Sequence, residues 1–438
     1  MRQANRIRLG GVQRRLSRHF GRWGEVIAGR LRRQGVWLVL LIAAPLAVYF
    51  AFEAVPEEFR PRIAVERPGE AALRAYSGPG NGVERRPVSI PDLVKGVYMS
   101  ASTAGYGSRY SELVRLVEET ELNTLVVDVK NHRGELAFRP KAPALQPYSE
   151  ERPQLGDLEE FTRPLREKGI YLIARIFVFQ DPAYAERHPE WALQRQWGGV
   201  WTDYRGVKWL DPASQEVWKY NVAVAREAFR GGFDEIQFDY IRFPSDGNMS
   251  SISYPVYDGQ VAKRQVIKDF FRFLDNQLRV RYGIPISADL FGLTMWNHES
   301  DLNIGQMLAD ALPHFDFISP MVYPSHYPAG FNGLENPAAF PYAVIKDNLE
   351  RGALVYEALR AAEEARDGEG ESYLPQRLGT IRPWLQDFDL GAVYTASMVR
   401  DQMRASLEGG ASGWLLWNAR NVYTEGALNK TGTETALH

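Results

Sequence analysis

Cysteine is absent from all 438 residues. Disulfides and thiolate metal sites are therefore excluded, and a domain of this chain outside the cytoplasm must rest on a large apolar core. Histidine is scarce, with seven residues scattered at His19, His132, His188, His298, His314, His326 and His438. They form no H-x-H or H-E-x-x-H spacing, so neither a metal nor any other cofactor is expected. There is no G-x-S-x-G elbow, no phosphate-cradling P-loop and no glycine fingerprint after the first predicted strand, which argues against esterase, kinase-like and dinucleotide chemistry. A net charge of −2 gives no footprint for nucleic acid.

Acid is missing from one place in particular. Between Met1 and Arg33 the single acidic residue is Glu25, against ten arginines, and residues 35–52 (GVWLVLLIAAPLAVYFAF) carry no charge at all. Eighteen helical residues span about 27 Å, close to the hydrocarbon thickness of a bilayer. The expectation is a basic cytoplasmic tail at 1–34, a single transmembrane signal-anchor at 35–52 and a Pro-rich linker at 53–93. By the positive-inside rule the remainder then lies on the extracytoplasmic side of the cell membrane. A cleavable signal peptide is the competing reading, but its apolar core is usually shorter. The arginines beside such a span suit anionic lipid headgroups.

From residue 94 the pattern changes to short apolar runs separated by amphipathic stretches. Eight runs read as strands: 95–100, 124–130, 171–179, 235–244, 285–292, 315–324, 382–389 and 413–419. Helical stretches such as VWKYNVAVAREAFRGG and SMVRDQMRASLEGG lie between them, each closed by a Gly-Gly pair. Near-continuous apolar strands alternating with helices predict an α/β fold, a (β/α)8 TIM barrel over 94–426 with a tail at 427–438. A doubly wound open sheet is the alternative. The segment at about 325–380, which includes a charged helix-like run at 342–368, reads equally as a lid, a barrel helix or a partner surface.

Barrels of this kind work at the C-terminal ends of their strands, so polar residues late in a strand are the candidates. DEIQFDYIRFP (234–244) poses the question most sharply, since a buried strand there carries Glu235, Asp239 and Arg242. Period-two alternation puts Glu235, Gln237 and Asp239 on one face, with Asp239 nearest the rim and Glu235 at the opposite mouth, where it suits a structural ion pair. Arg242 points inward only if the chain bends before Pro244. Asp289 ends the fifth strand. Asp128, Lys130, Arg175, Tyr323, Trp384, Trp417 and Asn418 complete the set of expected substrate-binding groups, with Asp128 and Lys130 expected to point the same way. The loop after the third strand holds Trp191, Trp197, Trp201 and Trp209, and one or two of these rings are expected to stack on sugar.

The stretches KGVYMSASTAG, NTLVVDVKNHRGEL, ARIFVFQDP, HPEWAL, WLDPAS, FDEIQFDYIRFPSDG, ISPMVYPSHY and GASGWLLWNA resemble a bacterial family of glycoside-hydrolase-like proteins with an α-amylase-like TIM barrel. The resemblance implies glycosidic-bond hydrolysis, with Asp239 at the place of the nucleophile ending the fourth strand. The fifth strand offers Asp289 where α-amylase-like barrels carry a glutamate, and no histidine follows Asp239. The expected function is a glycoside hydrolase acting on an envelope or extracellular polysaccharide, Asp239 serving as nucleophile or base and Asp289 as general acid. A membrane-tethered barrel that binds carbohydrate without cleaving it, and a scaffold for envelope partners, are the alternatives.

Overall fold

Eight parallel strands lie in the order of the chain around a closed barrel: β1 (Val94–Met99), β2 (Thr124–Lys130), β3 (Tyr171–Phe177), β4 (Glu235–Asp239), β5 (Ile286–Phe291), β6 (Phe317–Met321), β7 in two pieces (Thr380–Ile381 and Trp384–Gln386) and β8 (Gly413–Trp417). Closure is complete because β7 pairs with both β6 and β8, and β8 pairs back onto β1, Val94 opposite Gly413. The computed structural model describes residues 89–105, 107–367 and 378–431. The expected cytoplasmic tail, membrane span and nearly all of the linker lie outside the described residues. Among the described residues no helix is long and apolar enough to cross a membrane.

Seven helices run back between successive strands: α1 (Gly107–Glu119), α2 (Leu158–Glu167), α3 (Gln215–Arg230), α4 (Lys263–Leu274), the single turn α5 (Leu308–Ala311), α6 (Pro341–Asp367) and α7 (Ala396–Glu408). Side-chain caps mark two of their starts. Asp157 accepts the amides of Glu159 and Glu160 at α2, and Thr395 accepts that of Met398 at α7. Gly232, after α3, has φ of 104°, and a Cβ there would come within 2.0 Å of Thr162 Oγ1. No other residue fits that turn. Of the open segment 325–380, residues 341–367 form α6, a barrel helix that packs beside α7, with Lys346 Nζ donating to Glu408 O at 2.9 Å; residues 368–377 lie outside the described residues.

Outward-facing strand residues and the inner helix faces form one continuous apolar core. Inside the barrel the filling is different. Tyr98, Val126, Ile173, Tyr323, Trp384 and Leu415 share it with buried ions. At the N-terminal mouth Glu235 and Arg382 are fully buried and bonded to each other, Arg382 Nη2 to Oε1 at 2.5 Å and Nη1 to Oε2 at 3.1 Å. Tyr171 and Ser287 hydroxyls donate to the same carboxylate at 3.0 and 2.5 Å. Four hydrogen bonds satisfy Glu235, so its charge is structural, as its place early in the strand suggests.

The expected boundary at 426 falls inside contacts that continue to Thr431. Ala427 and Leu428 are buried, and the Glu121 amide donates to Asn429 O at 2.8 Å.

Candidate active site

Arg175, near the end of β3, is the hub of the C-terminal rim. Its Nη1 donates to Asp128 Oδ1 at 2.7 Å, its Nη2 to Asp239 Oδ2, and its Nε lies 3.5 Å from Asp289 Oδ2. β2, β4 and β5 thus each deliver one carboxylate to one guanidinium. Burial opposes the charge on Arg175, but Asp239 and Asp128 outweigh it and hold the side chain more firmly protonated than usual. Three buried carboxylates around a single cation cannot all ionise cheaply.

The surroundings decide which carboxyl keeps a proton. Asp239 is supplied with donors on both oxygens, Oδ2 from Arg175 and Oδ1 from the Tyr240 amide at 2.6 Å. Asp128 accepts from Arg175 and, at 2.6 Å, from the Tyr98 hydroxyl; burial still pushes it somewhat upward. Asp289 has one full hydrogen bond, from Trp384 Nε1 to Oδ1 at 2.8 Å, and its Oδ2 is buried without a hydrogen-bonding partner. Burial first, and the neighbouring Asp239 charge second, push Asp289 well above the ordinary carboxyl range. A carboxyl held by donors on both oxygens beside one pushed upward by burial is the kind of asymmetry that acid–base chemistry at a glycosidic bond uses.

Both carboxyls open onto a cleft of about 600 Å³. The backbone turns sharply as soon as β4 ends, since Tyr240 adopts φ of 54°, a left-handed conformation uncommon outside glycine. This bend brings Arg242 to the cleft wall, with its guanidinium over the rings of Trp209 and Phe291 at 4.9 and 4.6 Å. Trp417 stacks on Tyr98 with ring centroids 4.1 Å apart and meets Trp384 edge-on, so the floor is aromatic as well as charged.

Of the residues singled out by sequence, Asp239, Asp289, Arg175, Arg242, Tyr323, Trp384 and Trp417 line this cleft. Asp128 lies behind Arg175 and is only 5% exposed. Lys130 is elsewhere. A bulge in β2 places Asp128 opposite Arg175 and Lys130 opposite Ile176, which breaks the alternation that was to align the two side chains. Lys130 is fully buried, ion-paired to Asp181 at 2.6 Å and bonded to Asn221 Oδ1 of α3 at 3.1 Å. Its position is that of a strut between barrel and helix. Asn418 also turns away, donating to Asp387 O at 2.5 Å and accepting the Arg420 amide at 2.9 Å, which ties the loops after β7 and β8 together.

Sequence reasoning passed over Tyr98, Gln180, Asp203 and Tyr240. Tyr98 is one aromatic among apolar strand residues, and nothing local separates it from core. Gln180 and Asp203 carried a signal, as polar residues just past a strand end and inside the long aromatic loop. Of the four loop tryptophans, Trp209 lines the cleft and donates Nε1 to Asp203 Oδ2 at 3.0 Å. Trp201 is buried and bonded to Asn248 O, whereas Trp197 is 71% exposed.

A hypothetical protein from Ruminiclostridium thermocellum is 32% identical over 44% of this chain and 96% of its own, with a TM-score of 0.40. The PgaB (BpsB) glycoside hydrolase domain from Bordetella bronchiseptica is 13% identical over 75% of this chain and 95% of its own, with a TM-score of 0.51, a likeness of fold. The catalytic domain of β-amylase from Paenibacillus polymyxa is 11% identical over 78% and 96%, with a TM-score of 0.43. No curated protein matches the chain. Residues 96–423, most of the sequence, match the family described as "Putative glycosyl hydrolase domain", and the chain belongs to that family of glycosidases.

Proposed function

We propose that this protein hydrolyses an O-glycosidic bond of a polysaccharide with Asp239 and Asp289 as its working pair. The observation that carries the reading is the asymmetry between them: two carboxyls on adjacent strands, in contact with one guanidinium, one supplied with donors on both oxygens and the other raised by burial and by its partner's charge. In the forward step Asp289 gives its proton to the departing glycosidic oxygen. Asp239 either attacks the anomeric carbon or takes a proton from the water that does. On the first course water then breaks the glycosyl–Asp239 ester and gives a proton back to Asp289; on the second the attacking water itself completes the product, Asp239 passes its proton to solvent and Asp289 is reprotonated from solvent. Contact of both carboxyls with the same guanidinium favours the short separation, about 5 Å, of retaining enzymes. Asp128 and Tyr98 hold Arg175 in place, and the aromatic floor receives the sugar rings.

The basic run and the uncharged stretch at 35–52 support attachment to the cell membrane, with the barrel on the extracytoplasmic side and an envelope or extracellular polysaccharide as substrate. The test is digestion of a glycan library by the full-length protein in mild detergent, with Asp239→Asn alongside. Release of oligosaccharide by the parent and not by the folded variant supports the reading. Binding of a glycan that is never cleaved would leave a carbohydrate-binding barrel instead.

A further inference from the structure

One cation in the cleft has no acid. Arg242 is 8% exposed, yet among the described residues no carboxylate forms an ion pair with it. Nη1 donates to Phe243 O at 3.0 Å and Ser245 Oγ at 3.2 Å, while Nε and Nη2 make no hydrogen bond among the described residues. A guanidinium taken out of water without a counter-charge is costly, and burial accordingly weakens its hold on its proton. The nearby acids, Asp239, Asp246 and Asp203, offset this only in part. Asp203 is saturated by four N–H donors, from Gln180, Trp209, Arg205 and Val207. Asp246 lies exposed at the mouth and Asp239 is engaged by Arg175 and the Tyr240 amide. Arg205, also on the cleft wall and exposed, forms no ion pair among the described residues.

Resting on the hydrolase reading above, we propose that the substrate carries an oxyanion, a uronic acid carboxylate or a sulfate ester, that docks on Arg242 with Arg205 beside it. The free Nε and Nη2 edge offers two parallel N–H donors, the arrangement that matches a planar carboxylate or two sulfate oxygens. The rings of Trp209 and Phe291 fix the plane of the guanidinium, so the acceptor is met in one orientation. A bound oxyanion would supply the counter-charge that the protein withholds.

The test uses the full-length protein, with Asp239→Asn to block turnover in binding runs. The probes are uronate oligosaccharides, their carboxyl-reduced counterparts, sulfated oligosaccharides and their desulfated counterparts. Calorimetric titration is expected to show one anionic class binding about 10- to 100-fold tighter than its neutral counterpart, the worth of one or two charge-assisted hydrogen bonds. Arg242→Lys, which keeps one charge but loses the parallel N–H edge, should cut that preference about tenfold or more, with a smaller loss on the neutral form. Arg205→Met, an exposed change that cannot unfold the barrel, should reduce it. Which pair discriminates identifies carboxylate or sulfate. Equal binding of charged and neutral forms, binding of neither anionic class, or equal losses on both forms in Arg242→Lys would overturn the proposal. Arg242-dependent binding of an anionic glycan without cleavage by the parent would uphold it and defeat the hydrolase reading alone.

Discussion

Trp384 gives its indole N–H to Asp289 Oδ1 at 2.8 Å and so fixes the carboxyl with Oδ2 turned to the side where Arg175 Nε lies 3.5 Å away. The indole is a neutral donor, which orients a carboxyl without demanding that it ionise. Trp384 is itself 1% exposed and held edge-on against Trp417, so the orientation is rigid. Trp384→Phe should therefore keep the packing but release Asp289, lowering kcat about tenfold or more with a smaller change in KM, a split read from steady-state kinetics on any substrate that the parent cleaves.

The raised proton affinity of Asp289 has a consequence for stability as well as for rate. Between the ordinary carboxyl pKa of the unfolded chain, about 3.9, and the raised value in the fold, the native state binds the extra proton. Stability contributed by the neutral form is present at low pH and is lost as pH rises through that window. Asp289→Asn keeps an acceptor for Trp384 and removes the titration. Its denaturation midpoint should fall less steeply with pH than the parent's, and lie above it at the alkaline end. Turnover should drop about 10² to 10⁴-fold, as for loss of a general acid.

Asp239 sets part of that shift, since its negative charge is the second cause of it. Removing the charge should lower the proton affinity of Asp289. In Asp239→Asn, carbon-detected NMR of the Asp289 carboxyl should therefore show titration at a lower pH than in the parent, together with loss of turnover by about 10³-fold or more. An unchanged Asp289 titration would mean that burial alone raises it.

The lower mouth obeys different rules. Arg382 and Glu235 are fully buried, and four hydrogen bonds converge on the carboxylate. Arg382→Met leaves a buried charge without its counter-ion and should cost about 3–5 kcal/mol in chemical denaturation, whereas the double change Glu235→Leu with Arg382→Met should recover much of the loss. The fraction that remains folded should still turn over, because neither residue lines the cleft.

How far these roles could be read in advance varied with how local their causes are. All eight strands were visible as apolar runs because a parallel barrel buries both faces of each strand. The interruption of β7 at Pro383 is also a local effect, since proline has no N–H for the ladder. Asp239 and Glu235 were separable by period-two counting along a regular strand. Lys130 was not, because the bulge at the end of β2 turns it to partners distant in sequence, Asp181 and Asn221. Asn418 failed for the same reason, its partner being a carbonyl 31 residues away. Arg242 was legible only as a condition on a bend before Pro244, and the bend comes at Tyr240.

That bend supplies the last prediction. Tyr240 holds φ of 54° with its ring stacked on Phe177 at 4.8 Å, and its amide caps Asp239 Oδ1 at 2.6 Å. A left-handed backbone costs a residue with a Cβ about 1–2 kcal/mol relative to glycine. Tyr240→Gly and Tyr240→Ala both remove the ring, but only alanine retains the Cβ. Glycine should therefore be the more stable of the two by about 1 kcal/mol in denaturation, the reverse of their order in an ordinary strand. Both should weaken substrate binding alike, because the cleft loses the same aromatic face. If alanine proved the more stable, the turn would not be left-handed in solution, and the path that carries Arg242 to the cleft wall would have to be different.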